Sequence, residues 1–539
     1  MEHHKITRSA TVFGGFTLVS RVLGMARDMV IAHLFGTSFA MSAYTIAFTF
    51  PNLFRRLFGE GTLVGAFIPV FTEQLEKKGK EAAFGLAAKM IPFVFFFLTA
   101  LTIGVILILA TIRFYFPLSP QAQLVFSLTQ WMMPYMVLIC TAALFMGILN
   151  SLSHFAVPAL SPCVLNLSLI FFGLVICPWI PGSIENKVYG LAAGVVIGGA
   201  LQFLVHLPIL KRKGVRLNFH LSMRQTWQDP TVRRILTLML PGILGLSVNQ
   251  LNVIVDRFLA YLISEQAAAV LFYGDRLVEF PLGIFGIGLA TAILPSLSRH
   301  AARQDVAQLK LSLVYALRQV FFITVPATVG LVVLGQPIVK LLFERGAFDA
   351  ASTRATAAVL VYYSLGIFAY SGIKIVVPAF YALKEMKTPV KIAFIALGVN
   401  VVLNLTLMWF MEERGLALST SISSVVNLTL LIFCLRKKIG AFSLKLLLLS
   451  CGRILFVSLL MGALAYWAWY ELVQRFGEAT TGARLLSTFG AMALALVGYF
   501  VFSWLFRLPE LKELRQAFAR KPKTVPKEIP SEDPPLRGE

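Results

Sequence analysis

The chain is 539 residues long, 58% hydrophobic and only 14% charged, with a mean hydropathy of +0.78, a balance that excludes a soluble globular protein. Lysine and arginine number 48 against 26 acidic residues, a formal charge of +22, which in a soluble chain would suggest nucleic acid and here fits basic connections facing an anionic leaflet. The 5 cysteines show no CxxC spacing and no histidine at ligand distance, so neither a disulfide framework nor a metal centre is expected.

Apolar stretches bounded by charge or by Pro/Gly clusters fall near 10–36, 40–72, 83–112, 123–151, 156–178, 187–210 and 235–263. A second set falls near 267–298, 309–335, 354–383, 390–410, 415–435, 446–470 and 484–506. Each is of membrane-crossing length, which predicts an all-α integral membrane protein of about fourteen transmembrane helices. The first stretch carries Arg21, Arg27 and Asp28 and lacks a small-residue cleavage site, so it reads as a retained helix and not a signal peptide. Alternate connections hold about 20 Lys and Arg on one side and about 8 on the other, which predicts that both termini are cytoplasmic. From 509 the sequence turns charged and Pro-rich, predicting a cytoplasmic tail with a short helix at its start.

An internal echo points to a repeat. The second stretch ends GAFIPVFTEQLEKKGK and the eighth ends TAILPSLSRHAARQDVAQLK, each after an aromatic-rich segment with charges. This predicts two six-helix lobes in a parallel pseudo-repeat, 1–233 and 234–440, then two C-terminal helices over 441–508 and the tail 509–539.

Charges inside spans are expensive and so should face a cavity. Arg21, Gly24 and Asp28 share one face of the first helix with Arg27 beside them; Arg55, Arg56 and Glu60 follow Pro51 in the second; Asp275, Arg276 and Glu279 precede Pro281 in the eighth; Lys374 stands alone in the tenth. The plain alternative is that each arginine joins helices through a nearby carboxylate or snorkels to the interface. In the first, second and eighth helices, however, arginines outnumber carboxylates. A cationic surplus around a cavity implies an anionic ligand, and the planar guanidinium fork suits phosphate. Prolines 51, 241, 281 and 326, with Gly242, Gly245, Gly283, Gly286 and Gly288, are the expected bending points.

A second constellation is rich in oxygen. Asn249, Asn252 and Asp256 recur at helical spacing, Asn400 and Asn404 lie one turn apart, and Thr420, Ser421, Ser423, Ser424 and Asn427 follow. Asp256, Asn400, Asn404 and Ser421 are the candidate site for Na⁺, or Asp256 cycles a proton; interhelical hydrogen bonding is the alternative. No HExxH, GxSxG or Walker sequence occurs. The expectation is a secondary transporter, not an enzyme, with no cofactor beyond Na⁺ or H⁺ as coupling ion.

The segments SRVLGMARD, FPNLFRRLFGEG, AFIPVF, YGDRLVEFPLGIFGIGLATAILPSLS, LFERGAFD and KTPVKIA resemble the MurJ (MviN) lipid II flippase family of the multidrug/oligosaccharidyl-lipid/polysaccharide exporter superfamily. The resemblance runs from about residue 8 to 440. It implies a fourteen-helix inner-membrane protein that moves undecaprenyl-pyrophosphate-linked disaccharide-pentapeptide to the periplasmic face by alternating access. It also implies that Arg21, Arg27, Arg55 and Arg276 hold the pyrophosphate near Glu279, and that the last two helices form a groove for the prenyl tail; Asp28, Arg56, Glu60, Asp275 and Lys374, read above as charges within spans, are the expected supporting residues of the cavity. The implied partners are lipid II, membrane lipids and the cell-wall synthesis machinery, and not nucleic acid. One departure is Ser42 in MSAYTIAF, where many relatives carry an acidic residue; Asp28 or Glu60 would then have to serve in its place. A drug or polysaccharide-lipid exporter of the same superfamily and a membrane-embedded glycosyltransferase or ligase are the rival readings; the latter usually needs a larger extracytoplasmic loop than the one near 336–354.

Overall fold

The computed structural model of the protein describes residues 2–215, 223–283 and 287–519, with 2–14, 59–60, 241, 244, 249, 287–292, 294 and 517–519 described by backbone alone. The predicted tail beyond 519, and Gly286 among the predicted bending points, lie outside it; Pro241 and Gly288 are described by backbone alone. Among the described residues there are helices and no strands.

In chain order, α1 (Glu2–Phe35) and α2 (Phe39–Phe54) lead into a π-helical stretch, Arg55–Thr62. There follow α3 (Leu63–Tyr115), α4 (Pro120–Met132), α5 (Pro134–Ser151), α6 (Ala156–Phe171) and α7 (Ile184–Arg212). Next come α8 (Pro230–Ile263), α9 (Ala267–Pro281), α10 (Ile287–Ala302), α11 (Val306–Phe343), α12 (Ala350–Ser364) and α13 (Ile367–Ala382). The chain closes with α14 (Lys387–Met411), α15 (Glu413–Ile439), α16 (Leu444–Phe476), α17 (Thr481–Leu505) and α18 (Pro509–Ala519). Side-chain caps at Ser38, Ser119, Asp229, Asp349, Ser443 and Thr480 accept from free amides of the first turns and set where those helices begin.

Among the described residues, the predicted apolar stretches fall on helical segments. Among the described residues, 9 helices are long and apolar enough to cross a bilayer, or up to 11 when bent pairs count as spans. One of them runs 77 residues from Phe39 to Tyr115, about 115 Å at 1.5 Å per residue, which is far more than one crossing. It is interrupted at Gly79, whose φ of +82° lies where glycine is favoured, amid Lys77, Lys78 and Lys80. The chain is therefore a helical, multi-pass membrane protein, while the exact count of fourteen is not set by these lengths.

Within the N-terminal helices, α1 packs on α6, α3 on α5, α2 on α4, and α7 on both α5 and α6. In the C-terminal part, α11 packs against α12, α13 and α16, while α14 pairs with α15 and α16 with α17. Helix α8 belongs to both groups. Its start is tied to α3 by Arg234–Glu73 (2.8 Å) and by Lys89–Asp229 (2.6 Å), and its end packs on α14. Between them it bends by 40° across 241–244, at the predicted Pro241 and Gly242. A Cβ on Gly242 would come within 2.9 Å of Thr62, and one on Gly61 within 2.2 Å of Leu246, so these glycines let α8 press onto the π-helical stretch. A second 40° bend separates α12 from α13 at Leu365–Gly366, a hinge the sequence reading did not select. One apolar core extends from Ile31 to Ala417 and so runs across position 233 without stopping there; another occupies 293–508.

The two halves are also joined at one end of the bundle. Ala347 donates its amide to the His33 carbonyl (2.9 Å), and the hydroxyls of Thr37 and Ser352 lie 2.8 Å apart, both buried. Ser42, fully buried, accepts from the Ala269 amide at 3.2 Å, capping the start of α9 from a different helix. Gly36 makes this approach possible: its φ is +54°, and a Cβ would lie 2.2 Å from the Ala347 carbonyl oxygen. Gly36→Ala is expected to lower stability by about 1–3 kcal/mol through backbone strain alone. Thermal unfolding in detergent checks this, and an unchanged midpoint would mean that the junction is not fixed as described.

Candidate functional site

The predicted charged residues converge from helices far apart in sequence. Arg27 of α1 donates from Nε (2.9 Å) and Nη2 (2.7 Å) to Oδ1 of Asp28, while its Nη1 donates to Oδ1 of Asn166 on α6 (3.0 Å). Asn166 in turn donates to the Ser20 carbonyl (3.0 Å), which fixes its amide orientation. The other oxygen of Asp28 faces Nε of Arg276 on α9 at 3.6 Å, an ion-pair distance too long for a hydrogen bond. Arg276 completes the row by donating to Glu279 (2.8 Å), with its guanidinium 4.9 Å from the Phe272 ring centroid.

The result is an alternating chain, Arg27, Asp28, Arg276, Glu279, that joins α1 to α9. It is closed at one end and open at the other: the side chain of Asp28 is 4% exposed, those of Arg276 and Glu279 29% and 42%. Burial explains the alternation, because a charge taken out of water must be neutralised locally.

The remaining predicted cations surround this chain. The guanidinium of Arg21 lies against the backbone of Gly283, where a Cβ would fall 2.1 Å from Nη1; only glycine leaves that space. Arg55 donates to Asn52 (2.8 Å) in the turn that follows Pro51. Arg56 is in electrostatic reach of Arg55, Glu279, Arg276 and Asp275, and Lys374 of Glu279 and Arg21. The π-helical stretch carries both Arg55 and Arg56; the Thr62 hydroxyl donates five residues back to Leu57 (2.6 Å), in keeping with the wider turn. Counting described side chains, the cluster holds the cations Arg21, Arg27, Arg55, Arg56, Arg276 and Lys374 against the carboxylates Asp28, Asp275 and Glu279. The Glu60 side chain lies outside the description. The cationic surplus read from the sequence thus gathers at one place. With Ser42 committed to an α9 amide, Asp28 is the carboxylate buried within the cluster.

The oxygen-rich constellation assembles next to α8. Asn404 donates to Asp256 (2.7 Å) and to Asn400 (2.9 Å), and Thr420 donates to the other Asp256 oxygen (3.3 Å). Asp256, Asn400 and Asn404 are all buried, and the side-chain carbonyl oxygens of Asn252 and Asn404 have no hydrogen-bond partner among the described residues. Ser421 is placed elsewhere: its hydroxyl donates to the Tyr362 carbonyl (2.7 Å), so Thr420 occupies the position expected for it. The side chain of Asn249 lies outside the description. The loop expected near 336–354 is shorter, 344–349, between α11 and α12; there Glu344 accepts from Thr353 of α12 (2.9 Å) and lies near Arg484. Asp349 caps α12, and the hydrogen bond from the Ser352 amide holds its carboxyl below the usual range. Both carboxylates therefore have structural partners. The partner that sequence reasoning missed is Asn166 of α6; Thr420 was among the residues of the constellation, but Ser421 beside it was the one assigned to the site.

Asp28→Asn is expected to destabilise the protein by about 3 kcal/mol, because it leaves two guanidiniums without their shared counter-charge. Adding Arg27→Gln should restore part of the loss; a double variant no more stable than the single one would show that the pair is not coupled.

Known proteins resemble this chain in sequence and in fold. The family described as lipid II flippase MurJ matches residues 31–486. A probable lipid II flippase MurJ of Vibrio cholerae is 32% identical over 536 residues, covering 95% of this chain and 98% of its own length. A lipid II flippase MurJ of Burkholderia cenocepacia is 34% identical over 436 residues, covering 80% and 84%. A solved structure of lipid II flippase MurJ in an inward closed conformation superposes with a TM-score of 0.74 at 25% identity, covering 94% of this chain and all of its own. An inward-facing MATE multidrug transporter shares the fold at 14% identity, with a TM-score of 0.66. The chain belongs to the MurJ lipid II flippase family.

Proposed function

We propose that this protein is a lipid II flippase of the bacterial inner membrane and not an enzyme. It carries the undecaprenyl-pyrophosphate-linked disaccharide-pentapeptide from the cytoplasmic to the periplasmic leaflet, where the cell-wall synthesis machinery consumes it. The observation that carries this reading is the cluster of six cations against three carboxylates among the described side chains, contributed by α1, the π-helical stretch, α9 and α13 and open on the flank of Arg276 and Glu279. A diphosphate supplies the missing negative charge, and guanidiniums bind it through paired, charge-assisted hydrogen bonds. A drug exporter for cationic molecules would want the opposite sign.

The route is alternating access. On the Lys/Arg bias both termini are cytoplasmic, and the junction of His33, Thr37 and Ser42 with Ala347, Ser352 and Ala269 is the periplasmic gate, closed in this state. The lobes 1–233 and 234–440 then rock about α8, whose bend leaves one part held by the N-terminal helices and the other by α14. The diphosphate competes with Asp28 and Glu279 for their arginines, and the last two helices accommodate the prenyl tail. Arg55→Ala and Arg276→Ala are expected to weaken lipid II binding roughly ten- to a hundredfold and to fail to support growth of a flippase-depleted strain. Gly283→Ala, which leaves every arginine in place and displaces only the end of Arg21, should mimic Arg21→Ala. Normal binding and growth in these properly inserted variants would overturn the assignment.

The Asp256 cluster is proposed as the coupling site. Its carboxylate, the free carbonyl oxygens of Asn252 and Asn404, and Thr420 suit a desolvated Na⁺. Sodium is expected to raise the thermal stability of the wild type and not that of Asp256→Asn. An equal response in both would remove Na⁺ from this site and leave Asp256 as a proton carrier or a structural hydrogen-bond partner.

A further inference from the structure

Helix α16 packs on α11 and α17; with α17 it is proposed above to accommodate the prenyl tail, but a hydrocarbon tail makes no use of the cations Lys445 and Arg453 on its outward stripe. A recess of about 750 Å³ lies there, lined by Lys445, Leu448, Leu449, Arg453 and Phe456, with Phe506 from the end of α17 standing over it. The α16 residues recur at i, i+3, i+4, i+8 and i+11, on one face, while Ser450 and Ile454 of the opposite face are buried.

The wall of the recess is built and held. Phe506 meets Phe456 edge-on, with ring centroids 5.4 Å apart at 88°. The chain then turns at Arg507, whose φ is +48°, and Leu508 is buried. Glu510 of α18 is fully buried against Arg318 of α11, at 2.8 Å from Nε and 2.6 Å from Nη2, and accepts the Ser450 hydroxyl from the inner face of α16. Glu513 adds a second contact to Arg318 (3.3 Å) and accepts from Gln319 (2.9 Å). A buried carboxylate thus pins the turn that closes the recess.

The two cations are what call for a ligand. Lys445 and Arg453 are exposed, and neither makes an ion pair among the described residues. Eight residues put them about 12 Å apart along the axis, with side chains long enough to meet between. Arg453 stands two turns deeper than Lys445 in an apolar helix, on a lipid-facing surface where Leu448, Leu449 and Phe456 are all exposed. A charge at such depth is costly without a counter-ion, and a phosphodiester is the anion that a bilayer offers there.

We propose that this recess is a binding site for an anionic phospholipid. Its phosphate lies between Lys445 and Arg453, and an acyl chain runs over Leu449 and Phe456. The site is separate from the charge cluster and does not depend on the flippase assignment. Native mass spectrometry of the purified full chain with added phosphatidylglycerol or phosphatidylcholine tests it. The wild type should prefer phosphatidylglycerol. Lys445→Ala with Arg453→Ala should weaken that binding roughly tenfold, whereas Lys391→Ala with Lys437→Ala, which removes equal charge elsewhere, should not. Leu449→Trp, which fills the recess and keeps both cations, should also exclude the lipid. Equal phosphatidylglycerol binding in wild type and site variants, or equal loss in the control, would overturn the proposal. So would a preference for undecaprenyl diphosphate over phosphatidylglycerol that the two substitutions abolish, since the recess would then serve the prenyl carrier.

Discussion

The sharing of Asp28 between Arg27 and Arg276 is the interaction on which the rest of the site depends. A lone guanidinium inside a membrane bundle is costly, and a lone carboxylate is no cheaper. One aspartate between two arginines lowers both costs, but only if α1 and α9 keep the separation that the Arg276 side chain spans, with Asn166 behind Arg27. The relative position of two helices distant in sequence is thereby coupled to the placement of charge. Once that row is neutral, Arg21, Arg55, Arg56 and Lys374 stand around it against Asp275 among the described side chains, which leaves a cationic surplus. A low-dielectric surround strengthens the field of that surplus toward an arriving anion.

Backbone irregularity puts these groups in place. A regular helix through 39–78 would rotate Arg55 and Arg56 by a fixed angle from Asn52 and Pro51; the π-helical stretch changes that angle and widens the turn. Gly61 and Gly242 then let α8 approach closely enough to buttress the widened turn from the other half of the chain. Glycine and proline here act less as loose joints than as clearances that allow charged segments to be pressed together.

The helical class and the identity of the cationic residues were legible in the sequence, because both rest on one-dimensional signals: long apolar runs, and charges that interrupt them. Asp256, Asn400 and Asn404 were legible for the same reason, as polar residues at helical spacing in apolar surroundings, and they do meet. Partners set by helix rotation were not legible. Thr420 and Ser421 differ by about 100° around α15, and only packing decides that threonine faces Asp256 while serine faces Tyr362. Asn166 is a single amide in a helix with no companion at i+3 or i+4 to mark its face, and the bend at Gly366 falls between two segments that read as one continuous span. Glu510 looked like part of a solvated tail; its burial depends on Arg318, distant in sequence, and no local pattern announces it.

Alternating charge also explains how one site can serve two states. If every arginine of the cluster were locked in a closed pair, a diphosphate would have to break salt bridges with nothing returned; if none were paired, the empty protein would carry a repulsive core. The row avoids both extremes, since Arg27 is tightly held while Arg276 touches Asp28 only at 3.6 Å and looks outward through Glu279. In the flippase proposed above, an incoming phosphate would take over the outer guanidinium without disturbing the inner one, exchanging one anion for another at small net cost. The released carboxylate would then repel the ligand it gave way to, so that binding on this proposal is not an energy trap, and a transporter needs departure as much as arrival.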